Sequence, residues 1–460
     1  MHRQPDFVAA IRNDLSDWRQ WVGRAVVMAY AVAAGLAVVA FTWLSQRALD
    51  GFDSLRNWQP LLPLLWTPAW TTASAWITLR FVPGATGSGI PQVMAALSPN
   101  VAVEHRSLFV SLRLSLAKAL LTAGGLFGGL AIGREGPSVQ IAAGVMQHAE
   151  RWLPRRSAIN HHGLLVAGGA AGIAAAFNAP LAGVMFAIEE LTQKFEQRNS
   201  GLIIAAIVLS GLMAVSVFGN ATYFGIIRVP RIGLDYVLPA VAVILGAGLL
   251  GGLFSRLLYV SIVGGADRFS GWRRSHPIRF AAGCGLAIAI IGVVSGGSTF
   301  GSGYDYTRRL VDGHVDVPLL YVTLRIVATW LAVWSGVPGG LFAPSLAIGA
   351  GFGADVSQLM HLGQASGPLI ALGMTAFLAA VTQAPITSFI IVMEMVDGHA
   401  MVLSLMAGAL GASLVARWLS RPLYSALAQV QLGRIPAPSD PADVAATPVA
   451  PVDPEVTGHH

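Results

Sequence analysis

The sequence predicts an all-α protein that crosses a membrane many times. Of its 460 residues, 54% are hydrophobic and only 11% are charged, whereas a soluble domain carries about 25% charged residues. Several apolar stretches reach the roughly 20 residues that one helical crossing needs. They are continuous rather than alternating, which argues against a transmembrane β-barrel. The stretches lie near residues 24–44, 60–82, 112–132, 201–218, 236–260, 280–297, 318–335 and 400–418.

The basic residues indicate the orientation of the chain rather than a nucleic-acid partner. The net charge is +6, but the arginines gather in short loops and at the chain end: Arg12, Arg19 and Arg24; Arg151, Arg155 and Arg156; Arg268, Arg273, Arg274 and Arg279. Positively charged loops face the cytoplasm, so we expect a cytoplasmic amino-terminal arm. Cys284 is the single cysteine, which excludes an internal disulfide and a cysteine-based metal cluster. We expect neither a metal nor a cofactor.

The chain divides into three parts by composition. Residues 1–22 alternate charged and apolar residues at helical spacing, which predicts an interfacial helix before the first span. Residues 23–430 form the predicted membrane domain. Residues 435–460 are rich in Pro, Ala and Asp and poor in large apolar residues, so we predict a disordered tail.

An internal repeat is visible when the membrane domain is compared with itself. "GSGIPQV" at residue 87 recurs in part as "GSGYDYT" at 301, and "LFVSLR" at 108 recurs as "LYVTLR" at 320. "PSVQIAAG" at 137 matches "PSLAIGAG" at 344, and "NAPLAGVMFAIEE" at 178 matches "QAPITSFIIVMEM" at 383. The four matches keep one order and a nearly constant offset. We therefore predict two homologous halves, about 24–195 and 205–425, as in many transporters whose transport site lies between repeats.

Five glycine- or alanine-rich motifs end in proline just before an apolar run. Proline fits the first turn of a helix, because its missing N–H has no intrahelical partner there, so each motif predicts a helix start. Free N–H groups at a helix start cannot face lipid, and together with the helix dipole they suit an anion. Glycines let the backbone approach an ion closely. The sequence therefore predicts a pathway for a small anion. The motifs are "GSGIP", "GREGP", "FNAP", "GGLFAP" and "TQAP", ending at Pro91, Pro137, Pro180, Pro344 and Pro385.

Glu135 has a special position in "GREGP". It lies at a predicted helix start, so its ionised carboxylate can occupy the place of an anion, and its protonated form can swing away. One side chain can thereby couple a proton to anion movement. We expect Arg134 to point elsewhere, to a carboxylate or to backbone carbonyls, and to help hold the loop. The alternative for Glu135 is a buried ion pair with Arg134 or with another residue.

"GSGIP", "GREGP", "GGLFAP" and the late "RPLYSALA" occur in the order typical of the CLC family of chloride channels and proton-coupled chloride antiporters. The sequence resembles that family over about residues 25–430. The resemblance implies an inverted repeat of many tilted and partial helices, and a homodimer with one pathway in each subunit. It also implies a short bacterial form without CBS domains, in the inner membrane.

The resemblance assigns roles to individual residues. Ser88 and Tyr424 resemble the inner anion-site hydroxyls, and the backbone amides of Leu341 and Phe342 resemble those of the central site; many members carry Ile at the position of Leu341. Glu135 resembles the external gating glutamate, and Glu190 resembles the internal proton-transfer glutamate of the antiporter branch. The supporting motif residues are Gly87, Gly89, Pro91, Gly133, Arg134, Gly136, Pro137, Gly340 and Pro344.

Structural alternatives stay open for these residues. Ser88 can be an N-cap, Tyr424 an aromatic of the interfacial belt, and Phe342 a packing residue. Glu189 and Glu190 can cap a helix near the membrane surface and contact Arg198. Glu394 corresponds to Glu189 in the second repeat, and we assign neither a transport role.

The resulting function is a proton-coupled chloride antiporter, with chloride ions and protons as its substrates. The alternatives are a passive chloride channel of the same fold and, less favoured, a fluoride/proton exchanger. Glu190 favours exchange, and serine at position 88 favours chloride. An intramembrane serine protease built on Ser302 and His399 is a further alternative from a different class, but no spacing sets a base beside a nucleophile. We therefore expect no enzymatic activity.

Overall fold

The structure is a computed structural model that describes residues 18–99, 101–154, 159–192, 200–219, 222–227, 236–313, 318, 320–361, 367–433 and 435. Within these ranges the chain is helical and contains no β-strand, which confirms the predicted fold class. The α-helices of the described ranges are α1 (Trp18–Trp58), α2 (Pro63–Phe81), α3 (Ile90–Leu97), α4 (Leu112–Phe127), α5 (Glu135–His148), α6 (His161–Phe177), α7 (Pro180–Phe186), α8 (Ser200–Phe218), α9 (Val237–Val263), α10 (Arg268–Ser275), α11 (Pro277–Val294), α12 (Tyr304–Val311), α13 (Tyr321–Trp334), α14 (Phe342–Leu359), α15 (Gly367–Thr382), α16 (Pro385–Met395), α17 (Val402–Arg417) and α18 (Leu423–Leu432).

Six described segments are long and apolar enough to cross a membrane, by length and composition. They coincide with six of the eight apolar stretches of the sequence, and they expose many large apolar side chains, such as Leu403 and Leu414 on α17. The chain is therefore an integral multi-pass membrane protein. The six segments are Trp18–Trp58, Val103–Phe127, Ser200–Phe218, Val237–Val263, Pro277–Val294 and His399–Arg417.

The two predicted terminal parts differ in how the structure bears on them. Residues 18–22 belong to the long helix α1, which continues through Gly23 into the first apolar stretch. The division at residue 22 between an interfacial helix and the first span stays a prediction. Residues 1–17 of the predicted interfacial helix lie outside the described residues, as does the predicted tail except for Ile435.

The five proline motifs all begin helices, as the sequence predicts. Pro180 and Pro385 are the first residues of α7 and α16, and Pro91 is the second residue of α3. Pro137 and Pro344 are the third residues of α5 and α14. All five prolines lie in first helical turns, where their missing N–H removes no intrahelical hydrogen bond.

Two helix pairs form the buried centre of the molecule. Helix α6 packs against α5, and every residue of α15 after Gly367 is buried, partly against α14. Small residues make these contacts possible: a Cβ atom on Gly172 would lie 2.5 Å from the Ser138 carbonyl oxygen, and one on Gly349 would lie 2.3 Å from that of Gly373. Close backbone approach is typical of helix packing in membranes. These rigid pairs hold the starts of α5 and α14 in place.

Corresponding positions of the two repeats adopt matching conformations. Asn178 and Gln383 precede the proline-initiated helices α7 and α16, and both have left-handed backbones, with φ of 55° and 60°. Glu189 and Glu394 lie near the ends of the same two motifs, and each caps a helix of the other repeat. Glu189 accepts hydrogen bonds from the N–H groups of Ile386 (3.0 Å) and Thr387 (2.6 Å) at the start of α16.

Glu394 makes the reciprocal contact. Its carboxylate accepts hydrogen bonds from the N–H groups of Leu181 (3.3 Å) and Ala182 (2.8 Å) at the start of α7. Each repeat thus supplies the carboxylate that satisfies free N–H groups of the other. These contacts support the internal repeat, while its exact limits stay a prediction.

We expect Glu189→Ala and Glu394→Ala each to lower the free energy of unfolding by about 1–2 kcal/mol, because each leaves two helix-start N–H groups uncapped. Thermal unfolding of the purified protein in detergent measures the loss. Glu104→Ala is the matched control, since Glu104 is exposed and lies in a surface 3₁₀ turn. Equal melting temperatures for all three variants would contradict the capping role.

Candidate functional site

Three of the glycine-rich loops meet through backbone hydrogen bonds. Gly133 and Gly340 form a reciprocal pair, in which the Gly133 N–H donates to the Gly340 carbonyl at 2.8 Å and the Gly340 N–H donates to the Gly133 carbonyl at 2.7 Å. The Gly339 N–H donates to the Gly87 carbonyl at 3.1 Å. The loops before α3, α5 and α14 therefore form one connected unit, and the three helix starts lie side by side.

Glycine is required where these loops touch. A Cβ atom on Gly136 would lie 2.2 Å from the Ser88 hydroxyl oxygen, and one on Gly340 would lie 2.9 Å from the Gly136 nitrogen. Gly89, the N-cap of α3, has φ of 111°, which residues with a side chain rarely adopt. The sequence singled out these glycines for backbone approach, and the structure places them at the contact.

Glu135 lies at this junction and is fully buried. One carboxylate oxygen accepts a hydrogen bond from the Ala343 N–H at the start of α14 (3.4 Å), and the other accepts one from the Tyr223 hydroxyl (3.5 Å). The carboxylate therefore occupies a place that faces a free helix-start N–H, where an anion is also stabilised.

Arg134 does not form the predicted alternative ion pair. Its guanidinium donates to the Tyr223 hydroxyl at 2.9 Å and lies 5.6 Å from the centre of that ring. Among the described residues no carboxylate lies within 4 Å of Arg134. The Arg134 guanidinium thus donates to the phenol hydroxyl of Tyr223 instead of to the expected carboxylate or backbone carbonyl, because Tyr223 lies over the loop.

Ser88 and Tyr424 bring two hydroxyls together. Both side chains are buried, and neither hydroxyl has a hydrogen-bond partner among the described residues. Ser88 does not act as an N-cap, because Gly89 holds that position and its N–H is bound by the Gln92 side chain at 3.0 Å. Tyr424 is only 1% exposed, so it does not belong to an interfacial belt. Both hydroxyls are therefore free to bind a ligand or water.

Leu341 and Phe342 begin α14 beside these hydroxyls. Leu341 is the N-cap and Phe342 the first helical residue, so neither N–H has an intrahelical acceptor. The Phe342 ring stacks on Tyr424 with ring centres 5.9 Å apart, and it also packs against Phe177 and Phe186. Phe342 is therefore both a packing residue and a wall of the site.

The adjacent acids Glu189 and Glu190 have different surroundings in the structure. They lie in a π-helical turn, Ala187–Thr192, a local irregularity that is frequent at functional sites. Glu189 caps α16, as described above, whereas the Glu190 side chain is buried and makes no hydrogen bond to another described residue. Arg198, the expected surface partner, lies outside the described residues.

Two site residues have no role in the sequence-based prediction. Lys118 is fully buried, and its ammonium donates at 2.6 Å to the carbonyls of Ala85 and Gly87 in the loop before α3. A lysine inside an apolar span is a signal that could have identified it. Arg325 performs the same task in the second repeat, where it donates to the carbonyls of Thr299 (2.7 Å) and Gly301 (2.8 Å).

Tyr223 is the other missed residue, and no sequence motif marks it. Its ring packs edge-on against Phe224 (4.9 Å) and Tyr304 (4.8 Å). The Tyr304 hydroxyl donates to the Tyr223 carbonyl at 2.8 Å, and the Phe224 N–H donates to the Met395 carbonyl at 2.9 Å. The hydroxyl that contacts both Arg134 and Glu135 is thus held from several sides.

The alternative catalytic pair is not assembled. The Ser302 hydroxyl accepts a hydrogen bond from the Tyr304 N–H (3.3 Å), whereas His399 is exposed and pairs with Asp397 at 2.9 Å. Among the described residues no group of three or more His, Cys, Asp or Glu side chains could hold a metal ion.

Comparison with known proteins identifies the family and the fold. The model of the voltage gated chloride channel family matches residues 70–417. The fold is similar to that of a slow cyanobacterial Cl⁻/H⁺ antiporter (TM-score 0.76, 23% identity, 90% of this chain and 98% of the other covered). It is also similar to a eukaryotic CLC transporter, with a TM-score of 0.70 and 22% identity over 89% of this chain and 74% of the other. A CLC-type fluoride/proton antiporter matches with a TM-score of 0.71 and 20% identity over 88% of this chain and 98% of the other.

Proposed function

Because the chain belongs to the voltage gated chloride channel family, or CLC family, we propose that it exchanges chloride for protons across the membrane. Members of the family are transporters rather than enzymes. The observation that carries the proposal is the position of the buried Glu135 carboxylate, which accepts the Ala343 N–H at the start of α14 (3.4 Å), where an anion would also bind, together with a second buried acid, Glu190. A buried intramembrane acid without a carboxylate-neutralising partner is a site for proton transfer.

The anion is held by neutral donors in this mechanism. The Ser88 and Tyr424 hydroxyls and the N–H groups of Leu341 and Phe342 bind chloride without a full positive charge. Binding stays weak enough for release, as conduction through several sites requires. Lys118 does not compete for the anion, because both of its contacts are backbone carbonyls.

Glu135 couples the proton to the anion. Its ionised carboxylate accepts a hydrogen bond from the Ala343 N–H and thereby blocks the anion path. Protonation removes the charge that this N–H and the helix dipole stabilise, so the side chain leaves and an anion takes its place. Glu190 supplies the proton from the cytoplasmic side. Proton release to the outside returns Glu135 to the blocking position.

The quaternary structure and membrane follow from the family resemblance. We propose a homodimer in the bacterial inner membrane, with one pathway in each subunit. Helix α7 packs against both α8 and α16, and α16 packs against α17. These four helices expose large apolar side chains, among them Leu181, Leu212, Ile386 and Leu410. This continuous apolar face is the surface proposed for the partner subunit.

The decisive experiment is reconstitution of the purified protein in liposomes under a chloride gradient, with chloride and external pH recorded together. We expect uphill proton movement that is driven by chloride and persists when the voltage is clamped. Chloride flux without proton movement would instead indicate a passive channel. The same vesicles loaded with fluoride test the fluoride/proton alternative.

We expect Glu135→Ala to abolish proton movement while chloride flux persists, because the blocking carboxylate and its proton are both removed. Parallel chloride and pH recordings measure the two fluxes. Glu150→Ala serves as a control, since Glu150 is an exposed acid paired with His161. Retained proton pumping in Glu135→Ala would refute the gating role.

Glu190→Gln should reduce proton transport by at least about tenfold and leave chloride flux, because the amide keeps the shape of the side chain but cannot carry a proton. The neighbouring Glu189→Gln is the matched control, and it should keep full coupling. If both variants pump protons at the same rate, Glu190 does not transfer protons.

Tyr223→Phe is expected to raise the chloride turnover about two- to fivefold, since the loss of one hydrogen bond to the blocking carboxylate is worth about 0.5–1 kcal/mol. The initial rate of chloride release at fixed pH measures it. Tyr306→Phe removes a hydroxyl that has no described partner and should not change the rate. An unchanged or lower rate in Tyr223→Phe would show that its hydroxyl does not restrain Glu135.

A further inference from the structure

A cavity of about 490 Å³ lies at the opposite end of α5 from Glu135. Its wall is formed by the turn before α4 and the first residues of α4, and by the last turn of α5 and the 3₁₀ turn Ala149–Trp152. Helix α5 has 14 residues, so the cavity lies about 20 Å from the anion site. It is a separate feature that the proposed transport mechanism does not use.

The two helices that form the cavity are held together at its floor. A Cβ atom on Gly144 would lie 2.9 Å from the Ser111 carbonyl oxygen, so the backbones of α4 and α5 approach closely there. The Gln140 amide of α5 donates to the Phe109 carbonyl, in the turn before α4, at 2.6 Å. The wall of the cavity is therefore fixed before any ligand binds.

Two arginines give the cavity a positive charge. Arg113 of α4 and Arg151 of the 3₁₀ turn both line it, and both side chains are exposed. Among the described residues neither arginine has a carboxylate within 4 Å. Glu150 also lines the cavity, but its carboxylate is hydrogen-bonded to His161 at 2.7 Å. The cavity therefore attracts an anion, and guanidinium groups suit phosphate because they bind its oxygens in pairs.

The start of α4 adds two backbone donors to this wall. Ser111 is the N-cap, and its hydroxyl accepts a hydrogen bond from the Leu114 N–H at 3.3 Å. The N–H groups of Leu112 and Arg113 have no intrahelical acceptor. Such N–H groups, together with the helix dipole, stabilise a phosphate.

Gln147 adds an acceptor that has no partner. Its side chain lines the cavity, and its side-chain oxygen is buried without a hydrogen bond to any described residue. A buried acceptor calls for a donor, and a phosphodiester has no proton to donate. The ligand therefore needs a hydroxyl or an ammonium group beside its phosphate. The two arginines favour the hydroxyl, because a phosphodiester that also carries an ammonium has no net charge.

An exposed apolar stripe leads away from the cavity along α4. Leu112, Leu116 and Leu120 are four residues apart, so they share one face of the helix. They are 42%, 64% and 56% exposed, and they belong to a segment that is apolar and long enough to cross a membrane. Leu112 also lines the cavity, so the polar cavity and the leucine stripe are continuous. A molecule with a phosphate and acyl chains fits both surfaces, whereas a free phosphate would use only the cavity.

We propose that this cavity binds the headgroup of an anionic glycerophospholipid with a free hydroxyl, such as phosphatidylglycerol. The phosphate lies between Arg113 and Arg151 at the start of α4, the hydroxyl donates to Gln147, and the acyl chains lie along the leucine stripe. Arginine-rich loops face the cytoplasm, which assigns the site to the cytoplasmic leaflet. The bound lipid joins α4 to α5. Lipid binding here is independent of the proposed exchange activity.

Native mass spectrometry of the purified protein in detergent, titrated with phosphatidylglycerol or with phosphatidylcholine of the same chain length, tests the proposal. Phosphatidylglycerol should bind more tightly than phosphatidylcholine. Arg113→Gln and Arg151→Gln should each raise the dissociation constant for phosphatidylglycerol about fivefold, as expected for one arginine beside an anionic headgroup. The dissociation constant for phosphatidylcholine should not change.

Gln147→Leu tests the contact with the headgroup hydroxyl. It should weaken phosphatidylglycerol binding about two- to tenfold, as expected for the loss of one hydrogen bond. Binding of phosphatidylmethanol, which has the same charge but no headgroup hydroxyl, should not change. Equal effects on the two lipids would show that Gln147 does not bind the hydroxyl.

Arg268→Gln is the matched control, since Arg268 is an exposed arginine of another cluster and does not line the cavity. It should keep the unmodified dissociation constant, and the melting temperatures of the lipid-free variants check that all of them fold. Equal phosphatidylglycerol affinities in Arg113→Gln, Arg151→Gln and Arg268→Gln would overturn the proposal. Displacement of the lipid by an equal concentration of inorganic phosphate would also overturn it, because it would indicate a site for soluble phosphate.

Discussion

Helix starts inside the membrane impose the constraint on which the whole structure depends. A free N–H group in a low-dielectric interior costs several kcal/mol unless it finds an acceptor. Each interior helix start in this chain meets that requirement in its own way. The starts of α7 and α16 receive carboxylates from the other repeat. The start of α14 receives the carboxylate of Glu135, which in the proposed mechanism leaves when it gains a proton. Structural and functional carboxylates thus use the same chemistry.

In the proposed mechanism, positive charge is kept away from the central anion site for a related reason. Among the described residues two cations, Lys118 and Arg325, are fully buried, and both donate to carbonyls of corresponding glycine-rich loops. They stabilise loop conformations that would otherwise leave several carbonyls without donors. The path itself is left with hydroxyls and backbone dipoles, which interact weakly and reversibly with an anion. The charged hydrogen bonds of Lys118 and Arg325 therefore stabilise the loops, whereas the proposed contacts with the anion are weak and neutral.

The sequence revealed the parts of the fold that follow from local rules. Prolines marked the helix starts, and four motif pairs revealed the repeat. Hydropathy located the outer helices because lipid accepts an uninterrupted apolar surface. It missed the central helices α6 and α15, which are strongly apolar but, at 17 and 16 residues, shorter than the roughly 20 residues of a full crossing. Tyr223 could not be found either, since its contact with Glu135 joins residues 88 positions apart. The division of labour between Glu189 and Glu190 depends on a π-helical turn, which no residue pattern predicts.

The exchange of caps between Glu189 and Glu394 makes the two repeats interdependent during folding. The contacts join residues 197 to 213 positions apart. During synthesis, α7 therefore leaves the ribosome long before the acid that completes it. Such distant contacts form late and slow the final steps of folding. The N–H groups at the start of α7 consequently stay uncapped until the second repeat is made and Glu394 reaches them. A duplicated protein of this kind is one folding unit rather than two.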